Sequence, residues 1–154
     1  MNNQIEVLRF LIKGCERESI GVFNNLLKDI NLTANQVEVL TVLNTYGPKS
    51  VKDLGDLLIC EKKSPSRLIQ SLISKGLLIK KRSKEDKRIS LIALSEQGKQ
   101  LLPEIQKQND DFNKIIGQRI KDKNQIDELI KILSSYLTGT ESIEKINRRF
   151  KIEN

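Results

Sequence analysis

The chain has 154 residues, 38% hydrophobic and 31% charged, with three Pro, eight Gly, no His and a formal charge of +7. That length suits one domain with a proper core and leaves no room for a separate catalytic domain, and the composition is that of a soluble, helix-rich protein. The lack of His removes the commonest general acid/base and the commonest transition-metal ligand, and no apolar run approaches the roughly 18 residues needed to cross a bilayer.

The amino-terminal stretch mixes charges into apolar residues, unlike a secretory signal, so a cytoplasmic location with no membrane partner is expected. Its apolar residues Ile5, Leu8, Ile12, Cys15, Val22 and Leu26 recur every three or four positions, which predicts a long amphipathic helix. Thr33 and Gln36 have the T-x-x-Q spacing of a capping box ahead of a second helix with Val37, Leu40 and Leu43 on one face, ended by Gly47-Pro48. Ser50 and Asp53 start a short third helix through Leu54, Leu57 and Leu58. After the break "ICEKKS", a fourth helix runs to Gly76. Residues 77–81 and 89–94 read as two strands joined by the polar turn "RSKEDKR". Ser95 caps a long helix to about Lys121, with a bend expected near Pro103. The segment "NQIDELIKILSSYL" follows with near-heptad spacing, and after Gly139 the residues Ile143, Ile146 and Phe150 mark one more amphipathic piece. A mainly α chain with a short helix, a sharp turn, a second helix and then a hairpin is a winged helix-turn-helix.

The charge is concentrated. Between residues 61 and 90 there are ten cations and three anions, so these thirty residues carry the whole net charge while the remainder is neutral. Such a footprint is expected of a surface that binds a polyanion. On the fourth helix Pro65, Leu68, Ile69, Leu72 and Ile73 share one side, which must face the core, while Lys63, Ser66, Arg67, Gln70 and Ser74 share the other. That donor-rich strip suits a major groove, Arg67 toward guanine and Gln70 toward adenine, with Lys62, Lys63, Ser64 and Ser66 beside it. On the hairpin tip, Lys84 and Lys87 can meet phosphates while an extended Arg88 enters a minor groove. Asp86 repels phosphate, so its sense is local: it pairs with Arg88 or Lys87, or bonds the turn's own amides, and so orients the wing.

In this order and spacing the fragments resemble the MarR family of bacterial regulators. Asp86-Lys87-Arg88 is similar to that family's D-x-R wing signature, and Leu94-Ser95-Glu96-Gln97-Gly98 to its L-[ST]-x-x-G. The run from Arg67 to Leu77 is similar to R-L-[IV]-x-x-L-x-x-x-G-L, and Leu32 to Gln36 to L-T-x-x-Q. Two positions depart from the pattern. Glu61 stands where a Ser or Thr often caps the recognition helix, and Ser64-Pro65 offers a substitute, Ser as N-cap with Pro at the first helical position. Lys87 stands where many members have a second Arg, so bidentate recognition is not expected there.

The resemblance implies a single domain over 1–154, with a DNA-binding core at 33–98 and a helical dimerisation region from 1–30 and 99–154. It implies a homodimer on double-stranded DNA, its recognition helices set about 34 Å apart on a pseudo-palindrome. It further implies a repressor that releases DNA on a small-molecule or oxidant signal, the ligand-binding residues being unknown, with no cofactor, no metal and no catalysis. Broad apolar stripes on the terminal helices agree independently with dimerisation. Cys15, within the apolar stripe, and Cys60, between the third and fourth helices, read as packed residues, with reactive thiols as the other reading. The competing functional reading is a winged-helix module that docks an acidic protein partner.

Overall fold

The Thr33 and Gln36 pair closes in space: Thr33 Oγ1 accepts from the Gln36 amide (3.3 Å), and Gln36 Oε1 accepts from the Thr33 amide (3.1 Å). The structure, a computed structural model, describes residues 2–60, 64–120, 122 and 124–152. In chain order these form α1 (Asn2–Leu26), a 3-10 turn (Lys28–Ile30), α2 (Ala34–Tyr46), α3 (Val51–Gly55), α4 (Ser66–Ser74), β1 (Leu78–Arg82) and β2 (Ser90–Leu94). Then come α5 (Glu96–Arg119), α6 (Asn124–Tyr136) and α7 (Glu141–Phe150). Among the described residues no helix is long and apolar enough to cross a membrane.

The capping box starts the helix around which the rest assembles. On α2, Gln36, Val37, Val39, Leu40, Val42 and Leu43 are all buried, so the helix is covered on more sides than the single Val37, Leu40 and Leu43 face marked by its sequence spacing. The reason is its neighbours: α1, α3, α4, α5 and β2 all touch it, and a helix apolar nearly all round belongs in an interior. Phe23, Leu27, Leu54, Leu58, Leu72 and Ile105 complete the core, each such side chain stabilising the fold by about 1.5–3 kcal/mol when fully buried. The lower end of α1 is fastened twice. Asn24 Oδ1 accepts from the Ala34 amide (2.8 Å), and Phe23 stacks on Phe112 of α5 at 4.6 Å between ring centres.

Three expectations shift. Helix α3 stops at Gly55, and the Leu57 and Leu58 amides both turn back to the Leu54 carbonyl (3.0 and 3.1 Å), which places these two leucines in the turn. Helix α4 begins at Ser66 with Pro65 as its N-cap and no side-chain cap, one residue later than a Ser64 cap would give; the Pro65 carbonyl accepts the first helical bond, from Ile69 (3.0 Å). Cys15 is exposed rather than packed, because the upper part of α1 extends past the core with Ile5, Val7, Leu8, Phe10 and Leu11 exposed as well. Helix α6 likewise buries no residue within the chain. Cys60 is half-buried against the core.

The hairpin is antiparallel, Leu78 opposite Leu94 and Arg82 opposite Ser90. On its other side β2 exchanges two backbone bonds between Ile92 and Lys49 (2.7 and 3.1 Å), tying the wing to the segment before α3. Where α4 gives way to β1, Gly76 takes φ +73° and donates to Ile73, while Leu77 donates to Leu72, a left-handed cap that satisfies the helix's last carbonyls. The L-S-x-x-G stretch then turns the chain into α5. Ser95 Oγ accepts from the Gly98 amide (2.9 Å) and donates to the Gly76 carbonyl (2.5 Å), and its own amide donates to Leu77 (3.0 Å). A Cβ on residue 98 would lie 2.2 Å from the Leu77 carbonyl oxygen, so only glycine permits this approach. Gly98→Ala must push α5 off the hairpin and is expected to destabilise the fold by about 1–3 kcal/mol. An unchanged midpoint in urea unfolding would show that the joint is not close-packed.

Candidate nucleic-acid interface

Helix α4 has a sharply divided surface. Pro65, Ile69 and Leu72 are buried and Leu68 and Ile73 partly so, while Ser64, Ser66, Arg67, Gln70 and Ser74 are exposed. The core thus holds one side of the helix in place and leaves Arg67 and Gln70 extended toward solvent. Ser74 spends its hydroxyl on its own helix, donating to the Gln70 carbonyl (3.0 Å). Gln36 Nε2 reaches from α2 to the Ser71 Oγ (2.9 Å), fixing the rotation of α4 about its axis. Lys62 and Lys63, with the Glu61 position, lie outside the described residues.

The second group sits on the wing tip, where Lys84, Asp86, Lys87 and Arg88 are all exposed. Of the two local roles open to Asp86, the structure has the backbone one: its Oδ1 accepts from the Arg88 amide (2.9 Å). Its carbonyl accepts from the Ile89 amide (3.0 Å), and Ser83 Oγ accepts from the amides of Glu85 (3.2 Å) and Asp86 (3.3 Å). Ser83 in turn donates its amide to Ile89 (3.0 Å), closing the loop. Among the described residues no ion pair involves Lys84, Lys87, Arg88 or Arg67. These cations therefore stand ready for an external anion. Beneath the wing a cleft of about 650 Å³ is lined by Lys49, Asp53, Lys81, Arg82 and Lys84, which extends the positive surface along the hairpin.

Reasoning from the sequence passed over two residues that the structure places behind this surface. Glu38 of α2 accepts from the amides of Ile59 (2.8 Å) and Cys60 (3.0 Å), just ahead of α4, and pairs with Arg149 of α7. One carboxylate in the otherwise apolar run "VEVL" was the available signal for Glu38; Arg149 had none, since the partner lies 111 positions away.

Known proteins agree with this geometry. A family described as a winged helix DNA-binding domain matches residues 32–98. The organic hydroperoxide resistance transcriptional regulator of Bacillus subtilis (strain 168) is 32% identical over 91 residues, 59% of this chain and 62% of that protein. The HTH-type transcriptional regulator SarZ of Staphylococcus aureus (strain MRSA252) is 31% identical over 92 residues, 60% of this chain and 62% of that protein. The chain thus spans less than two thirds of the length of these curated relatives. A mutant MarR from E. coli, solved in complex with operator DNA, shares the fold with a TM-score of 0.78 at 21% identity, over 88% of this chain and 96% of that one. With the winged-helix match at its centre and the fold of a solved MarR protein along most of its length, the chain carries a winged helix DNA-binding domain within a MarR-like fold.

Proposed function

We propose that the chain works as a homodimeric repressor that binds a pseudo-palindromic operator in double-stranded DNA and is released by a small-molecule or oxidant signal. The observation that carries this reading is the wing tip: Lys84, Lys87 and Arg88 are exposed while the Asp86 carboxylate is turned onto the Arg88 backbone amide. A bound Asp86 gives the tip a defined shape, and the cations around it face outward for phosphates and a groove edge. Arg67 and Gln70, exposed on the face of α4 that opposes the core, supply the base-reading half of the interface.

The dimer is supported by apolar surface that the single chain leaves open. Phe10 and Leu11 of α1 are 63% and 60% exposed, and Leu129, Ile132 and Tyr136 of α6 are exposed with them. Two copies joined through these helices would hide a surface that is costly to leave in water. The signal has a place to act: a cleft of about 260 Å³ among α1, α2, α5 and α7, with Phe23, Thr41, Asn109 and Arg149 in its wall. An oxidant arm of the reading rests on Cys15, exposed on α1.

Arg88→Ala is expected to weaken operator binding by about 1–3 kcal/mol with no change in self-association. Fluorescence anisotropy on a duplex selected from genomic DNA checks this, and an unchanged affinity removes the wing from the interface. Lys84→Ala should weaken binding to every duplex alike and flatten the dependence of log K on log salt by about one phosphate's worth, near 0.9. Preference for acidic peptides over any duplex in the same titration would instead favour a protein-docking module. Phe10→Glu combined with Leu133→Glu should reduce the sedimenting mass to that of one chain and abolish cooperative operator binding; a dimer that survives both charges is not held by these faces.

A further inference from the structure

The turn before the recognition helix is held from behind by the carboxy-terminal helix, through one carboxylate. Glu38 Oε1 accepts from the Ile59 amide (2.8 Å) and from Arg149 Nη1, and Glu38 Oε2 accepts from the Cys60 amide (3.0 Å). Both side chains are largely removed from water, Glu38 at 16% and Arg149 at 14% exposed. A carboxylate in that setting is stable only with its charge matched and its lone pairs filled. Arg149 matches the charge, and the two amides of the turn fill the lone pairs. Neighbouring contacts run the same way: Arg148 Nη1 donates to the Asp56 carbonyl (3.1 Å), and the Tyr46 hydroxyl donates to the Arg149 carbonyl (3.4 Å). Helix α7 is therefore fastened at three points to the α2 to α3 region and the turn that follows it.

We propose that Glu38 and Arg149 are positioning residues for DNA recognition: Arg149 pairs with the Glu38 carboxylate and keeps it aimed at the Ile59 and Cys60 amides, and this sets where α4 starts. The Gln36 to Ser71 bond fixes the rotation of α4 from its other end, so Gln36 and Glu38 of α2 together determine how Arg67 and Gln70 are presented. Without Arg149 the buried carboxylate loses its counter-charge, draws in water, and lets go of the turn. The strut touches no nucleic acid. Its effect is on discrimination between sequences rather than on the count of phosphates met. This role rests on the DNA-binding reading given above.

The experiment compares the parent protein with Arg149→Ala, Arg149→Lys and Glu38→Gln in two measurements. The first is affinity for the tightest duplex recovered from a randomised DNA pool, relative to sheared bulk DNA, well below the melting temperature. The second is amide hydrogen exchange in the free protein. Expected for Arg149→Ala is a loss of about tenfold in the ratio of specific to bulk affinity, with an unchanged salt slope. Exchange at Ile59 and Cys60 should quicken while Leu40 and Leu43 in the middle of α2 keep their protection. Arg149→Lys, which retains the charge, and Glu38→Gln, which retains one acceptor, should fall between parent and Arg149→Ala. Equal quickening at Leu40 and at Ile59 would overturn the proposal, since the pair would then support the whole fold. A looser turn with an unchanged affinity ratio would overturn it too. A parent protein with no preference among duplexes would remove the DNA-binding reading itself, and the exchange data would still show whether the strut holds the turn.

Discussion

The fold depends on the burial of one helix and on what two of its polar side chains, Gln36 and Glu38, do with that burial. Helix α2 is wrapped by α1, α3, α4, α5 and β2, and its apolar residues form the middle of the core. A polar group in such a place must find partners within the protein. Gln36 and Glu38 both do, and both reach toward the recognition helix: Gln36 to Ser71 within it, Glu38 to the amides of the turn leading into it. The hydrophobic effect sets where α4 lies but is not directional; the hydrogen bonds from α2 add the direction.

A second constraint joins this module to the long helices. Ser95 fills its hydrogen bonds with the Gly76 carbonyl and the Gly98 amide, and Gly98 lets the α5 backbone come against the Leu77 carbonyl. The end of α4, the start of the hairpin and the start of α5 therefore meet at one joint with no slack. The start of α5 is thereby packed directly against the backbone that links α4 to the hairpin.

The electrostatics follow the same economy. The chain's excess positive charge lies in residues 61–90, and on the wing the anion within the signature is used to shape the loop that displays the cations. The Asp86 carboxylate, though exposed, engages the Arg88 amide and so adds a bond that orders the tip. A Gly at that position would supply no such bond, and a Ser only a weaker one.

Local signals were legible residue by residue. The Thr33 and Gln36 box, the Ser50 and Ser95 caps, the close of α4 at Gly76 and the bounds of the two strands within one residue all depend on neighbours a few positions away, so spacing alone revealed them. The family pattern in Asp86 to Arg88 and Leu94 to Gly98 was legible for the same reason, and so was the apolar side of α4. The sequence by itself thus determined the elements, their order and the location of the charge. Only the tertiary structure decided that α2 is covered on several sides, that Cys15 on α1 is exposed, that Asp86 bonds an amide rather than a cation, and that Glu38 meets Arg149. Each of these depends on what folding brings opposite a residue, and for Glu38 that partner is 111 positions away, beyond the reach of any periodicity.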